Sequence, residues 1–183
     1  NIFSGFLAKM MELPIHKLII ATNENNILER FVKTGEYKPG EFKSTHSPSM
    51  DIQVASNFER YLYYFLGQDA AKVSAYMENL QNDGEITISA EDLVKVQNDF
   101  EAHGASNEEG LQLISTYKAE YDYLLDPHTA CGVAAYEACN GEDEICISFA
   151  TAHPAKFNEA IEQCDIEQEF PTEIEQLFAK PQY

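Results

Sequence analysis

Two short apolar stretches, far apart and each flanked by helical patterns, do most to limit what this chain can fold into. In Lys17-Leu18-Ile19-Ile20-Ala21-Thr22-Asn23 the segment Leu18–Ala21 is apolar on both sides, as parallel strands covered by helices on two faces are. Glu144 to Ala150 alternates, with Ile145, Ile147 and Phe149 on one side and Cys146, Ser148 and Ala150 on the other. It reads as a second strand. Nearly everything between and beyond carries helix signals. The combination predicts an α/β architecture, parallel-sheet strands with flanking helices. Two strands make an inadequate sheet by themselves, so neighbouring strands are expected from outside these 183 residues.

The helical segments follow from spacing and punctuation. Ile2, Phe3, Phe6, Leu7, Met10 and Met11 recur at helical intervals, and Pro14 stops the run. Asn26 starts a helix with Glu29 in capping-box position, and Gly35 suits its end. Residues 36 to 54 read as loop around Pro39, Gly40 and Pro48. Ser56-Asn57-Phe58-Glu59 is a second capping box, opening an aromatic helix with Phe58, Leu62 and Phe65 on one face. Gly67 interrupts it, and a further helix runs to about Asn82. Ile86-Thr87-Ile88 is briefly extended. Ser89 caps a helix expected to reach about His103, and Ser106-Asn107-Glu108-Glu109 opens another. Asp126-Pro127-His128 breaks the pattern before a small-residue helix from Thr129 to Cys139. Pro154 sits early in the next helix, and a last one spans about Thr172 to Ala179. Residues 55 to 120 thus read as a mostly helical insertion.

The formal charge is −19, from 31 acidic against 12 basic residues. Phosphate backbones and anionic lipid surfaces attract proteins through Lys and Arg, so this balance disfavours both as partners. The cysteines Cys131, Cys139, Cys146 and Cys164 form no CxxC pair, and three lie in apolar patterns. They read as reduced thiols, which with no membrane-length apolar run predicts a soluble, cytoplasmic protein. No metal-ligand spacing recurs, and no metal is expected.

In open α/β sheets, ligands gather at the carboxyl ends of parallel strands. Here those ends are Thr22-Asn23 and Thr151, although turn or cap chemistry explains the same residue types. Lys156, just after a helix-starting proline, reads as a surface residue and not as a nucleophile. His128 and Cys131 are near neighbours on a helix, but the sequence shows no third group to orient the histidine, so a Cys–His nucleophile is not expected. His16, His46 and His103 read as solvated.

Ala21-Thr22-Asn23-Glu24-Asn25, Ser44-Thr45-His46-Ser47-Pro48-Ser49-Met50-Asp51-Ile52 running on to Arg60, Asp126-Pro127-His128-Thr129-Ala130, and Thr151-Ala152-His153-Pro154-Ala155-Lys156-Phe157 resemble segments in the C-terminal part of the threonine synthases. That family uses pyridoxal 5'-phosphate (PLP) and has the tryptophan-synthase-β-like fold, fold type II. The resemblance implies the conversion of O-phospho-L-homoserine and water to L-threonine and phosphate. It implies that Thr151 lies at the cofactor's ring nitrogen, that Asn23 helps to complete the pocket, and that Asn1 ends a phosphate-binding cup. Ser47, Asp51 and His128 become substrate-site candidates without an assigned role. The lysine that holds the cofactor is expected upstream, so the isolated chain is expected to be inactive and to self-associate through exposed sheet edges. Two alternatives stand beside this reading: a related phospholyase, and an acidic interaction module without catalysis.

Overall fold

A computed structural model describes residues 2–139, 145–178 and 180–181. The elements are α1 (Ile2–Met10), β1 (Leu18–Thr22), α2 (Ile27–Thr34), β2 (Glu36–Tyr37), α3 (Phe58–Phe65), α4 (Ala70–Asn82), β3 (Ile86–Thr87), α5 (Ala90–Asp99), β4 (Phe100–Gly104), α6 (Asn107–Tyr121), α7 (Pro127–Cys139), α8 (Asn158–Glu162) and α9 (Thr172–Phe178). Single 3-10 turns lie at Pro48–Met50 and Pro154–Lys156.

The expected parallel sheet is present with a different second strand. β1 pairs in parallel with β4, in a register from Leu18 opposite Phe100 to Thr22 opposite Gly104. The helix opened by Ser89 therefore ends at Asp99 and not near His103. Phe100 turns directly to extended backbone, φ −128° and ψ 143°, and Phe100 and Ala102 enter the core beside Ile20. The strand expected at Glu144 to Ala150 is not formed. Glu144 lies outside the described residues, and residues 145–150 are irregular, with Ile145, Ile147 and Phe149 at 98%, 77% and 79% exposure. Alternation reports that one side is apolar, but a strand also needs a neighbour for its N–H and C=O groups, and this segment pairs with no described strand. It runs close to α7, where Gly132 lacks the Cβ that would sit 2.8 Å from Ser148 Oγ.

The principal core is aromatic. Phe58 stacks on Tyr37 at 4.1 Å and meets Phe31 edge-on at 4.8 Å, while Tyr61 makes T-shaped contacts at 5.1 Å with both Phe6 and Phe100. Each such pair adds about 0.5–1.5 kcal/mol beyond area burial. The Tyr37 hydroxyl accepts the Ala55 N–H at 2.8 Å. β2 and β3 form a second, antiparallel pair beside this cluster. A smaller core joins α6, α7 and α8 through Ile114, Ala130, Ala134 and Ile161.

Capping explains the starts of α5 and α6. Ser89 and Ser106 accept the N–H groups of Asp92 and Glu109, and Ser106 and Glu109 complete a reciprocal capping box. The boxes expected at Asn26 and Ser56 do not form. Asn26 donates its amide to Glu29 (2.8 Å) and accepts no cap bond through its side chain. α3 starts after Asn57, itself in helical backbone and without a side-chain cap. Burial of Phe58, Tyr61 and Leu62 holds that helix instead.

Candidate functional site

β1 ends at Thr22, and its direction of travel delivers Asn23 into the interior, where it is only 2% exposed. Its carbonyl oxygen accepts the Asn25 N–H at 2.9 Å, an Asx turn that reverses the chain. Its amide nitrogen reaches across to the loop after β2: Thr45 Oγ1 at 2.8 Å, Ser47 Oγ at 3.0 Å and Asp51 Oδ1 at 2.8 Å. The Ser47 backbone carbonyl lies at 3.3 Å as well, so two N–H groups serve four acceptors. Asp51 is the loop's own organiser, taking the Thr45 N–H (2.9 Å) on one oxygen and Thr45 Oγ1 (2.6 Å) and Asn25 Nδ2 (3.0 Å) on the other. Asn25 fixes the loop's far ends, exchanging bonds with the Lys43 backbone and accepting from Gln53 Nε2.

A second group joins from α7. Asp126 stands just before Pro127 and caps the helix, accepting the N–H groups of His128 (2.9 Å) and Thr129 (3.3 Å) and the Thr129 hydroxyl on its other oxygen. Proline in the first helical position costs no hydrogen bond. The His128 ring lies between three partners. Nδ1 faces Asp126 Oδ1 at 3.1 Å, Nε2 accepts the Ser49 N–H at 3.1 Å, and Phe157 covers the ring at 4.5 Å between centroids.

The candidates Asn23, Ser47, Asp51 and His128 thus converge. Asn1 lies outside the described residues, and Thr151 is exposed. Thr151 is flanked by Ala150 and Ala152, which line a cleft of about 690 Å³ together with Lys118, Asp126, Thr129 and His153. That volume is in the range of small-molecule sites. Asp126 and Thr129 are therefore shared between the cleft and the buried network. Lys118 donates to Asp122 at 2.5 Å, and Lys156 is exposed, as expected. His153 caps the following turn by accepting the Ala155 N–H. His103 is not simply solvated: it faces Glu109 at 3.0 Å. Among the described residues no group of three or more His, Cys, Asp or Glu gathers as a metal site.

Cysteine chemistry at this site is opposed by its environment. Cys131 is buried, and burial pushes its thiol up to about 11 against the lowering contact with Ser47 Oγ. The thiolate needed for nucleophilic attack is thereby disfavoured. The group that orients His128, invisible in the sequence reading, is Asp126, but Nε2 is engaged by Ser49 and not by the thiol.

Burial alone raises the Asp126 carboxyl's pKa, but hydrogen bonds from His128 and Thr129, side chain and backbone, outweigh it and hold it below its ordinary 3.8. A depressed folded value means that the stability contributed is complete above about pH 4 and drains away as pH falls through the lower folded value. Asp126→Asn is accordingly expected to flatten the acid limb of a stability–pH curve below about pH 4. Denaturant midpoints measured for both proteins between pH 3 and pH 6 check this, and parallel acid limbs would contradict it.

The sequence reading missed Asn25, Thr45 and Asp126 as members of the site. Asp126-Pro127 was legible as a cap followed by a first-turn proline. Thr45 and Asn25 carried no signal apart from their place in the segments already quoted.

A family model described as "Threonine synthase, C-terminal" matches residues 129–183. Among curated relatives, threonine synthase of Schizosaccharomyces pombe is 39% identical over 186 residues, covering 88% of this chain and 36% of the relative. That of Pseudomonas aeruginosa is 35% identical over 183 residues, covering 98% and 39%. The chain thus spans about two fifths of the length of these relatives. Among solved structures, a PLP-bound threonine synthase from Brucella melitensis superposes with a TM-score of 0.93 at 40% identity, over 98% of this chain and 39% of that one. The yeast threonine synthase gives 0.88 at 36%, over 97% and 40%. In sequence and in backbone alike, the chain matches the C-terminal part of threonine synthases over nearly its whole length.

Proposed function

We propose that the chain acts as the C-terminal part of a PLP-dependent threonine synthase, which converts O-phospho-L-homoserine and water to L-threonine and phosphate. The observation that carries this reading is the 0.93 superposition on a PLP-bound member of that family. The convergence of three family-like segments, 21–25, 44–52 and 126–130, on one polar network supports it. Bound PLP supplies the electron sink that makes the substrate's Cα–H acidic enough to remove and lets phosphate leave.

The residues present fit part of such a pocket. Thr151, between two residues that line the cleft, carries an uncharged hydroxyl, suited to a ring nitrogen because it hydrogen-bonds without enforcing a proton there. Asn23 has both ends of its amide committed to the protein; its part in the site is to hold the 45–51 loop. Ser47 and Asp51 shape that loop from within. The reading places the lysine that carries the cofactor outside these residues, consistent with the exposure of Lys156. It also places the protein in the cytoplasm, a setting supported by the free state of all four cysteines. No helix among the described residues is long and apolar enough to cross a membrane. The exposed row Ile145, Ile147 and Phe149 supports self-association of the chain when it stands alone.

The test is phosphate release from O-phospho-L-homoserine with PLP present, run on this chain and on a longer reading frame that contains it. Phosphate and threonine formed in equal amounts by the longer protein, and by it alone, are the expected result. A folded longer protein that releases phosphate without forming threonine would favour the phospholyase; one that releases none would overturn the enzyme reading.

A further inference from the structure

We propose that His128 is a positioning residue, not a substrate ligand: held as its neutral Nδ1–H tautomer by Asp126, it locks the Ser47–Asp51 loop to the first turn of α7. The residue's place in a substrate site rests on the enzyme reading above, whereas the lock itself stands on the geometry.

Both ring nitrogens are engaged. The Ser49 backbone N–H can only donate, so Nε2 must be the unprotonated nitrogen. The proton then resides on Nδ1, which donates to Asp126 Oδ1. Phe157 packs against the ring at 4.5 Å between centroids, and the side chain is 4% exposed. No nitrogen is left over for a ligand.

The ring's three partners lie on three different segments. Ser49 belongs to the 3-10 turn Pro48–Met50, directly between Ser47 and Asp51, which with Thr45 accept from Asn23. Asp126 caps α7 and lines the cleft. Phe157 follows the Pro154–Lys156 turn, whose Pro154 lines the same cleft. One imidazole therefore sets the spacing between the loop on the β1 side and the cleft wall. The Asn23–Asp51 network fixes the loop internally, and His128 adds the link from its Ser49 backbone to α7.

Two substitutions separate the halves of the lock. In His128→Gln the side-chain oxygen can take the place of Nε2 and still accept from Ser49. In His128→Asn the shorter amide can still donate to Asp126 but does not reach Ser49. Nitrogen-15 NMR of the imidazole in the wild-type chain is expected to show the Nδ1–H tautomer. Amide exchange at Ser49 is expected to speed up about tenfold in His128→Asn and to stay within about twofold of wild type in His128→Gln, as the loss or retention of one net hydrogen bond implies. In the longer, active protein, kcat/KM is expected to fall about tenfold in His128→Asn and to recover within about threefold in His128→Gln. An Nε2–H tautomer, unchanged Ser49 exchange in His128→Asn, or equal loss of activity in the two variants would overturn the proposal. A wild-type protein that releases no phosphate would sink the enzyme reading alone, since the tautomer and exchange measurements stand without it.

Discussion

Truncating Phe58 to alanine is expected to lower the stability of the fold by about 3–5 kcal/mol, the range for a large aromatic removed from a core that cannot collapse around the gap. Phe58 is 1% exposed and touches Phe31, Tyr37 and Tyr61 at once. Those rings come from α2, β2 and α3, so the cavity opens where three elements meet and no single one can move in to fill it. The same side chain stands in for the capping bond that α3 lacks. Chemical denaturation, followed by far-ultraviolet circular dichroism, measures the loss. Tyr63→Ala on the outer face of the same helix, at 37% exposure, is the internal comparison and is expected to change stability by under about 1 kcal/mol. Equal losses at the two positions would mean that the aromatic cluster does not hold the fold.

Asp51→Ala is the second large effect, at roughly 2–4 kcal/mol, because it leaves several donors without their acceptor together. Asn23 Nδ2, Asn25 Nδ2, the Thr45 N–H and the Thr45 hydroxyl all point at this one carboxylate. Asn23 is too deeply buried to turn to water. Asp51→Asn keeps the shape but turns an N–H₂ toward some of those donors, so it is expected to recover only part of the loss. Ser47→Ala removes one of four acceptors around Asn23 and is expected to cost about 1 kcal/mol. Denaturant midpoints for the three variants, with Asp51→Ala the most destabilised, check the ordering. A Ser47→Ala loss as large as that of Asp51→Ala would show that the loop is organised from Ser47 instead.

The helices were legible where chemistry and period agreed. Ser89 and Ser106 announced their helices through short polar caps, and both caps form. Asn26 and Ser56 carried similar lettering without forming boxes, since burial of Ile27 and Phe58 decides where those helices begin. Strands were the weaker reading for a physical reason. Five residues give little room for a period, and pairing depends on a partner that sequence position does not reveal. In Phe100-Glu101-Ala102-His103-Gly104 the alternation of buried and half-buried positions was present, but no helix breaker precedes it, so the helical run of α5 masked it. In residues 145–150 the alternation was conspicuous and no described strand lies beside it. The site was legible in its members and not in its wiring. Asn23, Ser47, Asp51 and His128 are all in it, but that Asp51 serves the loop and His128 the Ser49 backbone depends on folding that joins distant segments.

The pairing of β1 with β4 has a consequence for how the chain reaches this state. The strands are neighbours in space but are separated in sequence by α2, β2, α3, α4, β3 and α5. Contacts of such high contact order form slowly, since the closure of a long loop has to precede any gain from pairing. During synthesis β1 therefore emerges from the ribosome well before β4 exists, and its β4-facing edge lacks that partner for the whole interval. Until β4 is made, that edge of β1 is open to misassembly.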